Sequence, residues 1–463
     1  MTQEEGNRVI TFGCRLNSYE SELIKDALKK TTEKNLIVFN SCAVTNKAEQ
    51  DLASAIRKTK KENPDSKIVI TGCAAQINFA KYAKMKEVDL VLGNAEKSDF
   101  SKYDLENKSK TVVIGGLQNS DQNISHKDKL FFASKENTNN SLTDFEFSKI
   151  KVNDIMSVKE TAPQLVSYFE GQTRAFLEIQ NGCNHRCTFC IIPFGRGNSR
   201  SVSFGEIVEK TRNLVKAGHK EVVLTGVDIS GYGEDFEVQI SLSQMIKRLL
   251  KLVPELPRLR LSSVDVAELL GDEEFFDILK NEPRFMPYLH LSVQAGDDMI
   301  LKRMQRRHNR NQVIEFCKKS KEIRPEMTFG CDIIAGFPTE SDEAFLNSVN
   351  LISEAELIFT HIFPFSPKEG TPASKMPQLN GKIIKERAKI LRESGEAELQ
   401  KYLQNYAKLN KEKLVKVLIE KDGIGKTENF LSVKILDKKK QQEIGKIVEA
   451  RIESAEAGFL LVR

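Results

Sequence analysis

Short apolar runs alternate with longer polar, helix-compatible stretches along most of this 463-residue chain. This alternation predicts parallel strands joined by helices, because a parallel pair needs a crossover connection. The apolar runs are 9–12, 36–39, 68–70 and 88–92 near the start, then 175–180, 222–225, 259–262, 290–293, 330–334 and 359–363 in the centre. We therefore expect an α/β protein with an N-terminal open parallel sheet over 1–100 and a partial (β/α) barrel over 171–395.

Two other segments differ in composition from these. Ser, Asn, Lys, Asp and Thr dominate 101–170, which predicts a mostly irregular polar linker that can contribute an edge strand or a helical turn. Residues 396–463 begin with a helical stretch and continue with short β runs between turns, which predicts a small β-barrel.

The positive charge of the chain is concentrated at its C-terminal end. The net charge is +5, and residues 401–463 alone contain 14 Lys or Arg against 9 Asp or Glu, so the rest of the chain is balanced. Such an excess is expected of a module that binds a polyanion. A solvated lysine-rich surface would have the same composition, and the counts do not separate the two.

Three cysteines each follow one of the first three predicted strands within a few residues. They are Cys14, Cys42 and Cys73. The carboxyl ends of parallel strands lie at one edge of a sheet, so these thiols are expected to converge. We predict that they form an iron–sulfur cluster site with three protein ligands. The alternative is three unrelated buried thiols.

A second set, Cys183, Cys187 and Cys190, has the spacing C-x3-C-x2-C directly after the first strand of the central part. Barrels of this class carry their chemistry at the carboxyl ends of their strands. Since a [4Fe–4S] cluster usually has four cysteine ligands, three leave one iron open for another ligand. These three cysteines therefore predict a cluster that takes part in a reaction, and not one that only stores or transfers electrons.

The same spacing has two alternative explanations. Three small cysteines on one face of a core helix would repeat in this way, but Gly182, Asn184 and Pro193 disfavour a helix there. A zinc site is the other, and His185 lies too close to the cysteines for the common zinc spacings.

The remaining features favour a cytoplasmic protein with no membrane partner. The chain begins with polar residues, and no stretch approaches the roughly 18 apolar residues of a membrane helix. Eight cysteines in such a protein are not expected to form a disulfide framework. Cys317 and Cys331 lie among apolar residues and are predicted to be core residues.

The chain resembles the radical S-adenosylmethionine enzymes in the spacing from Cys183 to Cys190. The sequences that flank this triad are similar to the methylthiotransferase branch of that family, and so are five further segments. The matching segments are 13–17, 40–45, 72–74, 177–182, 191–197, 291–296 and 332–340. The resemblance covers nearly the whole chain, and the two separated cysteine triads are its most specific part.

This resemblance implies two [4Fe–4S] clusters, one on each triad, and S-adenosylmethionine as both radical source and methyl donor. In such enzymes the cluster on the first triad carries or donates sulfur, and the small C-terminal barrel is an RNA-binding TRAM domain. The implied partners are a tRNA substrate, a sulfur donor and a reducing electron donor such as flavodoxin or ferredoxin.

Segments 224–228 and 231–233 look most like the branch that adds a methylthio group to C2 of N6-threonylcarbamoyladenosine, at position 37 beside the tRNA anticodon. Three alternatives stay open. They are methylthiolation of a ribosomal protein aspartate, methylthiolation of isopentenyladenosine in tRNA, and an iron–sulfur RNA-binding regulator without turnover.

Beyond the cysteines, five residues are candidates for binding S-adenosylmethionine. One lies within the second triad and the others lie at or near predicted strand ends, and they are Phe189, Gly226, Asp228, Gln294 and Asp332. A turn glycine or an Asp helix cap would explain several of them equally well. No side chain outside the clusters is assigned to catalysis.

Three basic residues complete the prediction. Arg196 and Arg200 are expected to contact substrate or a carboxylate, or to form an ion pair that stabilises the fold. Lys368 stands where similar enzymes often have arginine, and it keeps the charge without the bidentate geometry.

Overall fold

The N-terminal part is an open parallel sheet, seen in a computed structural model that describes residues 6–104, 143–158 and 173–463. Its five strands are adjacent in chain order, and every pair is parallel. The strands are β1 Arg8–Thr11, β2 Leu36–Ser41, β3 Lys67–Gly72, β4 Leu90–Leu92 and β5 Ile150–Lys151. The helices are Arg15–Leu28, Asn46–Glu62, Cys73–Ile77, Phe79–Ala83 and Asp144–Ser148.

Strand β2 lies between β1 and β3 in this sheet, and all six of its residues are buried. Side chains on alternate positions of the strands enter two apolar clusters, one on each face of the sheet. The helix Asn46–Glu62 begins at Thr45, whose side chain accepts a hydrogen bond from the Ala48 amide. The predicted strands and helices of this region are therefore confirmed.

Strand β5 and the one-turn helix before it lie within the stretch that the composition assigned to a linker. Ile150 pairs with Val91 at the edge of the sheet, so this part of 101–170 completes the N-terminal sheet. Most of the predicted linker lies outside the described residues.

The central part is a partial barrel of parallel strands with helices outside. Two parallel sheets, β10-β9-β6 and β11-β12-β13-β14, follow one another through the adjacent strands β10 and β11, and a separate antiparallel pair joins β7 to β8. The strands are β6 Arg174–Glu178, β7 Gln180–Asn181, β8 Arg200–Ser201, β9 Glu221–Thr225, β10 Arg258–Leu261, β11 Ser263–Val264, β12 Tyr288–Gln294, β13 Thr328–Ala335 and β14 Leu357–Pro364.

The helices of the central part follow the strands in the predicted alternation. They are Ile192–Arg196, Phe204–Lys216, Leu242–Leu252, Val266–Leu269, Glu273–Asn281, Asp298–Met304, Arg310–Ile323 and Asp342–Glu354. One apolar cluster fills the space between these helices and the strands. The prediction of an α/β chain with a partial barrel is confirmed.

A long helix, Gly381–Leu409, leads to a closed five-stranded barrel. Its strands are β15 Leu414–Ile419, β16 Ile424–Thr427, β17 Ser432–Ile435, β18 Ile447–Glu456 and β19 Phe459–Val462, with a short helix Lys438–Gln441. The sequence did not predict β16, because that strand has one large apolar residue. The helix also crosses position 395, where the end of the central domain was predicted, so the domain limits stay predictions.

The small barrel closes the amino end of the central barrel with the loop 428–431. The Phe430 ring stacks on Tyr288 at the start of β12, with ring centroids 4.4 Å apart. The Thr328 hydroxyl at the start of β13 donates to the Asn429 carbonyl at 2.6 Å. The interior of the central barrel therefore has a floor at its amino end, and a ligand must enter from the carboxyl end or the side.

Among the described residues, no helix has the length and the apolar content that a membrane crossing requires.

Candidate active site between two cysteine triads

The first triad lies at the carboxyl edge of the N-terminal sheet. Cys14 precedes the helix Arg15–Leu28, Cys42 follows β2, and Cys73 begins the helix after β3. Gly13 has a φ of 120°, and a Cβ there would lie 2.8 Å from the Cys42 Cβ, so the two backbones approach closely. Burial first, and then the neighbouring Cys73 and Cys14 thiols, raise the pKa of Cys42 to about 11. The three thiols converge as the strand order predicts.

The second triad lies on a loop between β7 and the helix Ile192–Arg196. No helix is present from Cys183 to Cys190, so the helix-face alternative is wrong. The Cys190 amide donates to the Cys187 carbonyl at 3.0 Å, and the His185 amide donates to the Cys183 sulfur at 3.4 Å. Burial raises the pKa of Cys190 to about 12 and that of Cys183 still further.

These donors fit an iron–sulfur cluster. Three thiols lie on one loop, and an amide N–H points at one of the sulfurs, as is common around clusters. Buried thiols with raised pKa values lose their protons only when a cation replaces them. His185 instead contacts Asp228, with Nε2 2.8 Å from the carboxylate. Cys183, His185 and Asp228 could together hold a cation, but such a site would not use the other two thiols.

Arg306 supplies positive charge beside the second triad, and the sequence did not predict it. Its guanidinium lies 3.7 Å from the Cys187 sulfur and donates to Asp265 at 2.9 Å and to the Ser292 carbonyl at 2.8 Å. A fixed cation at this point favours negatively charged sulfur ligands. Arg306 is far from the cysteines in sequence, and only the folded barrel brings them together.

Two of the predicted cofactor-binding residues lie beside the second triad. The Asp228 carboxylate is 3.8 Å from the Cys183 sulfur, and its amide donates to the Gln180 side chain at 2.8 Å. A Cβ on Gly226 would lie 2.5 Å from the Gln180 carbonyl, so a glycine is required there for close packing. Asp228 is thus placed to face a ligand of the triad, whereas Gly226 has a structural reason of its own.

The other three candidates lie in different surroundings. Phe189 packs edge-on against Phe337 in an apolar cluster, with centroids 6.5 Å apart. Gln294 ends β12 with a φ of 71°. Asp332 lies in the interior of the barrel with two histidines. The contact of these five residues with S-adenosylmethionine stays a prediction.

A buried ion pair joins the two halves of the site. The Arg196 guanidinium makes two bonds to the Glu20 carboxylate, at 2.7 and 3.0 Å. Lys97 reaches the same carboxylate at 2.7 Å, and all three side chains are buried. Burial alone would raise the pKa of Glu20, but Arg196 and Lys97 outweigh it and lower it to about 2. Of the two roles that the sequence left open for Arg196, the structure shows the ion pair, which lies between the N-terminal and central parts.

Arg200 also has a structural role. Its guanidinium donates to the Arg196 carbonyl at 3.0 Å and to the Asn198 carbonyl at 2.8 Å. These bonds hold the loop that follows the short helix Ile192–Arg196.

The same helix brings the two triads together. A Cβ on Gly195 would lie 3.3 Å from the Cys73 Cβ. The side-chain amide nitrogen of Asn94 donates to the Gly195 carbonyl at 2.5 Å and lies 3.8 Å from the Cys73 sulfur. Since Gly195 is five positions after Cys190, the loop of the second triad ends against a cysteine of the first.

Lys368 forms a second ion pair between the central barrel and the N-terminal domain. Its amine lies 2.8 Å from the Glu49 carboxylate, and both side chains are almost fully buried. Next to it, the Asn46 amide donates to the Ser366 hydroxyl at 3.1 Å. The lysine at this position therefore has an acidic partner in the N-terminal domain.

Inward-facing side chains of β12, β13 and β14 form a polar layer above the Phe430 floor. His290 Nε2 is 3.0 Å from the Asp332 carboxylate, and His361 Nδ1 is 3.3 Å from the same oxygen. The Tyr288 hydroxyl lies 3.1 Å from His290 Nδ1. Burial by itself would raise the pKa of Asp332, but the two histidines outweigh it and hold the pKa far below its ordinary range.

Comparison with known proteins identifies relatives over nearly the whole length. The radical SAM superfamily matches residues 177–352, and an uncharacterized protein family, UPF0004, matches residues 7–93. The threonylcarbamoyladenosine tRNA methylthiotransferase MtaB of Rickettsia prowazekii is 49% identical over 98% of this chain and 96% of its own length. MtaB of Aquifex aeolicus is 35% identical over 96% and 98% of the two chains.

More distant relatives extend this picture. The tRNA-2-methylthio-N(6)-dimethylallyladenosine synthase of Pelagibacter ubique is 30% identical over 97% of this chain and 95% of its own length. Among solved structures, a radical S-adenosylmethionine methyltransferase of Kitasatospora setae superposes with a TM-score of 0.52 at 12% identity, covering 80% of this chain and 74% of that one. That likeness concerns the fold alone.

The buried ion pair generates a stability prediction. Glu20→Gln removes the charge that Arg196 and Lys97 share, and it is expected to lower the free energy of unfolding by about 3–5 kcal/mol because two buried cations lose their partner. Since the folded-state pKa is about 2, below the ordinary value of 4.5, the wild-type contribution is complete at neutral pH and is lost only as the pH falls through that interval.

Chemical denaturation at neutral pH measures this loss. Asp26→Asn on the same helix is the control, because Asp26 pairs with the exposed Lys29 and its loss should cost no more than about 0.5 kcal/mol. Equal losses in the two variants would show that the buried pair does not hold the interface.

Proposed function

Because the chain belongs to the MtaB family of threonylcarbamoyladenosine tRNA methylthiotransferases, we propose that it adds a methylthio group to C2 of N6-threonylcarbamoyladenosine at position 37 of tRNA. The observation that carries this proposal is the packing of two cysteine triads against each other at the carboxyl ends of two parallel sheets. Two adjacent metal-binding sites suit a reaction that both activates a ring carbon and supplies sulfur.

Membership of the radical SAM superfamily implies S-adenosylmethionine and a [4Fe–4S] cluster. Cys183, Cys187 and Cys190 would hold that cluster. When bound, this pair of cofactors supplies a 5′-deoxyadenosyl radical that removes hydrogen from an unactivated carbon. We further propose a second [4Fe–4S] cluster on Cys14, Cys42 and Cys73, which would provide the sulfur, and a second S-adenosylmethionine as methyl donor.

The described residues orient the reaction and exclude water from it. Arg306 places a fixed cation beside the Cys187 sulfur, and Asp228 places a carboxylate beside the Cys183 sulfur. The floor formed by Phe430 closes the interior at the amino end. The helix Arg15–Leu28 covers the barrel next to β6, with Leu16 and Tyr19 in its core. An enclosed interior protects a reactive radical from side reactions.

The alternatives are less well supported. The dimethylallyladenosine synthases of Pelagibacter ubique and Orientia tsutsugamushi are 30% and 29% identical, whereas the MtaB of Rickettsia prowazekii is 49% identical over a similar length. Methylthiolation of a ribosomal aspartate has no support among these relatives. A regulator without turnover would not need the open iron of a three-cysteine site.

The small C-terminal barrel is proposed to hold the tRNA. Its short helix carries exposed or half-exposed lysines at 438–440, and phosphate contacts of this kind supply much of RNA affinity. This barrel sits at the amino end of the central strands, whereas the triads lie at the carboxyl end. The RNA must therefore extend along the side of the central domain to place one nucleotide in the interior.

The reaction also needs partners outside the chain. We propose a low-potential electron donor such as flavodoxin or ferredoxin, a donor that restores the sulfur of the first-triad cluster, and a cytoplasmic location where tRNA is available.

The substrate assignment has a direct test. Loss of the gene from its host should abolish 2-methylthio-N6-threonylcarbamoyladenosine in tRNA hydrolysates and leave methylthiolated isopentenyladenosine unchanged. Mass spectrometry of nucleosides measures both, and a plasmid copy should restore the lost nucleoside. Unchanged threonylcarbamoyl nucleosides would refute the assignment.

The two-cluster proposal predicts separable roles. Replacing Cys14, Cys42 and Cys73 with alanine should reduce bound iron from about eight to about four per chain. This variant should still cleave S-adenosylmethionine under a strong reductant, and it should form no methylthio product. The matched control replaces Cys317, which is buried in the barrel core, and should retain all the iron. Loss of all iron from the triple variant would contradict two independent sites.

A further inference from the structure

Arg15 is a half-buried arginine without an ionic partner. It directly follows Cys14 and is the first residue of the helix Arg15–Leu28. Within the part of the chain that the structure describes, no carboxylate or hydrogen-bond acceptor contacts its guanidinium. By contrast, Arg196 and Arg306 each bind a carboxylate. A guanidinium that is partly removed from water and has no partner indicates that Arg15 meets an anion that arrives with a ligand.

Arg15 faces the interior of the central barrel. The helix it begins packs on the barrel through Leu16 and Tyr19. Burial raises the pKa of Tyr288 to about 12. Among the positive charges that oppose this rise, Arg15 has the largest effect. Tyr288 lies on the floor of the barrel, against Phe430. Arg15 also lies four positions before Tyr19, and hence on the face of the helix that packs against the barrel, so the guanidinium borders the interior from the N-terminal domain.

His361 borders the same interior from the opposite edge. It lies on β14, the last strand of the open barrel, and 57% of its side chain is exposed. Its Nδ1 faces Asp332, which leaves Nε2 as the nitrogen available to a ligand. Asp332 is also bound by His290, and His290 contacts Tyr288. These contacts fix the His361 ring and connect it through Asp332 and His290 to Tyr288, the tyrosine whose pKa Arg15 lowers.

We propose that Arg15 and His361 bind the carboxylate of the threonylcarbamoyl group on the substrate base, with Asp332 and His290 as positioning residues. This proposal rests on the proposed function and specifies how it selects its substrate. A guanidinium binds a carboxylate through two parallel hydrogen bonds, and an imidazole N–H can donate a third. Because Arg15 adjoins Cys14, the bound carboxylate holds the modified base next to the proposed sulfur-supplying triad.

The same arrangement explains selection against an apolar modification. A dimethylallyl group has no charge, so binding it would bury the Arg15 guanidinium without a partner. Sites built to pair a polar group reject an analogue that lacks it far more strongly than apolar pockets reject a small difference in size.

A metal ion on His290, Asp332 and His361 is a different interpretation of the same residues. Their ligand atoms lie within 4.8 Å of one another and could hold a cation. Among the described residues, the buried side chains that lack a hydrogen-bond partner include none of these three. A cation there would also add to the unpaired positive charge of Arg15. The observations therefore favour an anion.

Binding of two RNAs to the cluster-loaded enzyme tests the proposal. One is an anticodon stem–loop with threonylcarbamoyladenosine, and the other is the same stem–loop with the threonyl carboxylate methylated to an ester. Fluorescence anisotropy gives the Kd of each RNA for wild type, Arg15→Gln, His361→Asn and Arg8→Gln. Arg8 is the matched control, since it is exposed at the amino end of the same sheet. Iron content checks that each variant keeps its cysteine sites.

For wild type, esterification should raise the Kd roughly 10- to 100-fold, as expected for the loss of a charged hydrogen-bonded pair. Arg15→Gln should raise the Kd of the acid RNA by a similar factor and bind both RNAs equally. His361→Asn should give a smaller rise, again for the acid RNA alone, and Arg8→Gln should match wild type.

Several results would overturn the proposal. An equal loss for acid and ester RNAs in Arg15→Gln would show a contact to a backbone phosphate, and no loss at all would show that Arg15 does not bind the RNA. Zinc or extra iron that disappears in His361→Asn would show a metal site. The proposed function fails separately, if wild type binds the acid RNA with this selectivity and does not methylthiolate it.

Discussion

The buried contact between Arg196 and Glu20 determines how the two halves of the molecule meet. Glu20 lies on the helix that begins after Cys14, and Arg196 ends the short helix after Cys190. One ion pair thereby holds together two cysteine-bearing loops that are far apart in sequence. Burying two charges gains little net stability, and removing one leaves the other unpaired, so the main value of such a pair is positional.

Around this contact the chain encloses one interior. The N-terminal helix covers the side of the barrel next to β6, and Lys368 with Glu49 fastens the domains beyond β14. The loop with Phe430 closes the amino end, and the two triads lie at the carboxyl end. The central barrel is open on its own, and the two other domains cover part of its interior.

The sequence predicted what depends on local pattern. Cys14, Cys42 and Cys73 could be expected to meet, because each follows a strand and the strands are parallel. The partner of Arg196 could not be predicted, because Glu20 lies 176 positions away. Arg306 and His361 were missed for the same reason. Asp332 lies between two histidines that only the register of β12, β13 and β14 brings together, and its contact with S-adenosylmethionine stays a prediction. Strand β16 lacks an apolar run and left no periodic signal.

The central claim is that both triads hold clusters and that these clusters adjoin. Electron paramagnetic resonance of the fully reduced enzyme tests it most directly, because two neighbouring paramagnetic clusters broaden and split each other's signals. We predict an interaction spectrum in the wild-type enzyme that becomes the spectrum of one isolated cluster when either triad is replaced by alanine. A wild-type spectrum equal to the sum of the spectra of the two triad variants would contradict the account.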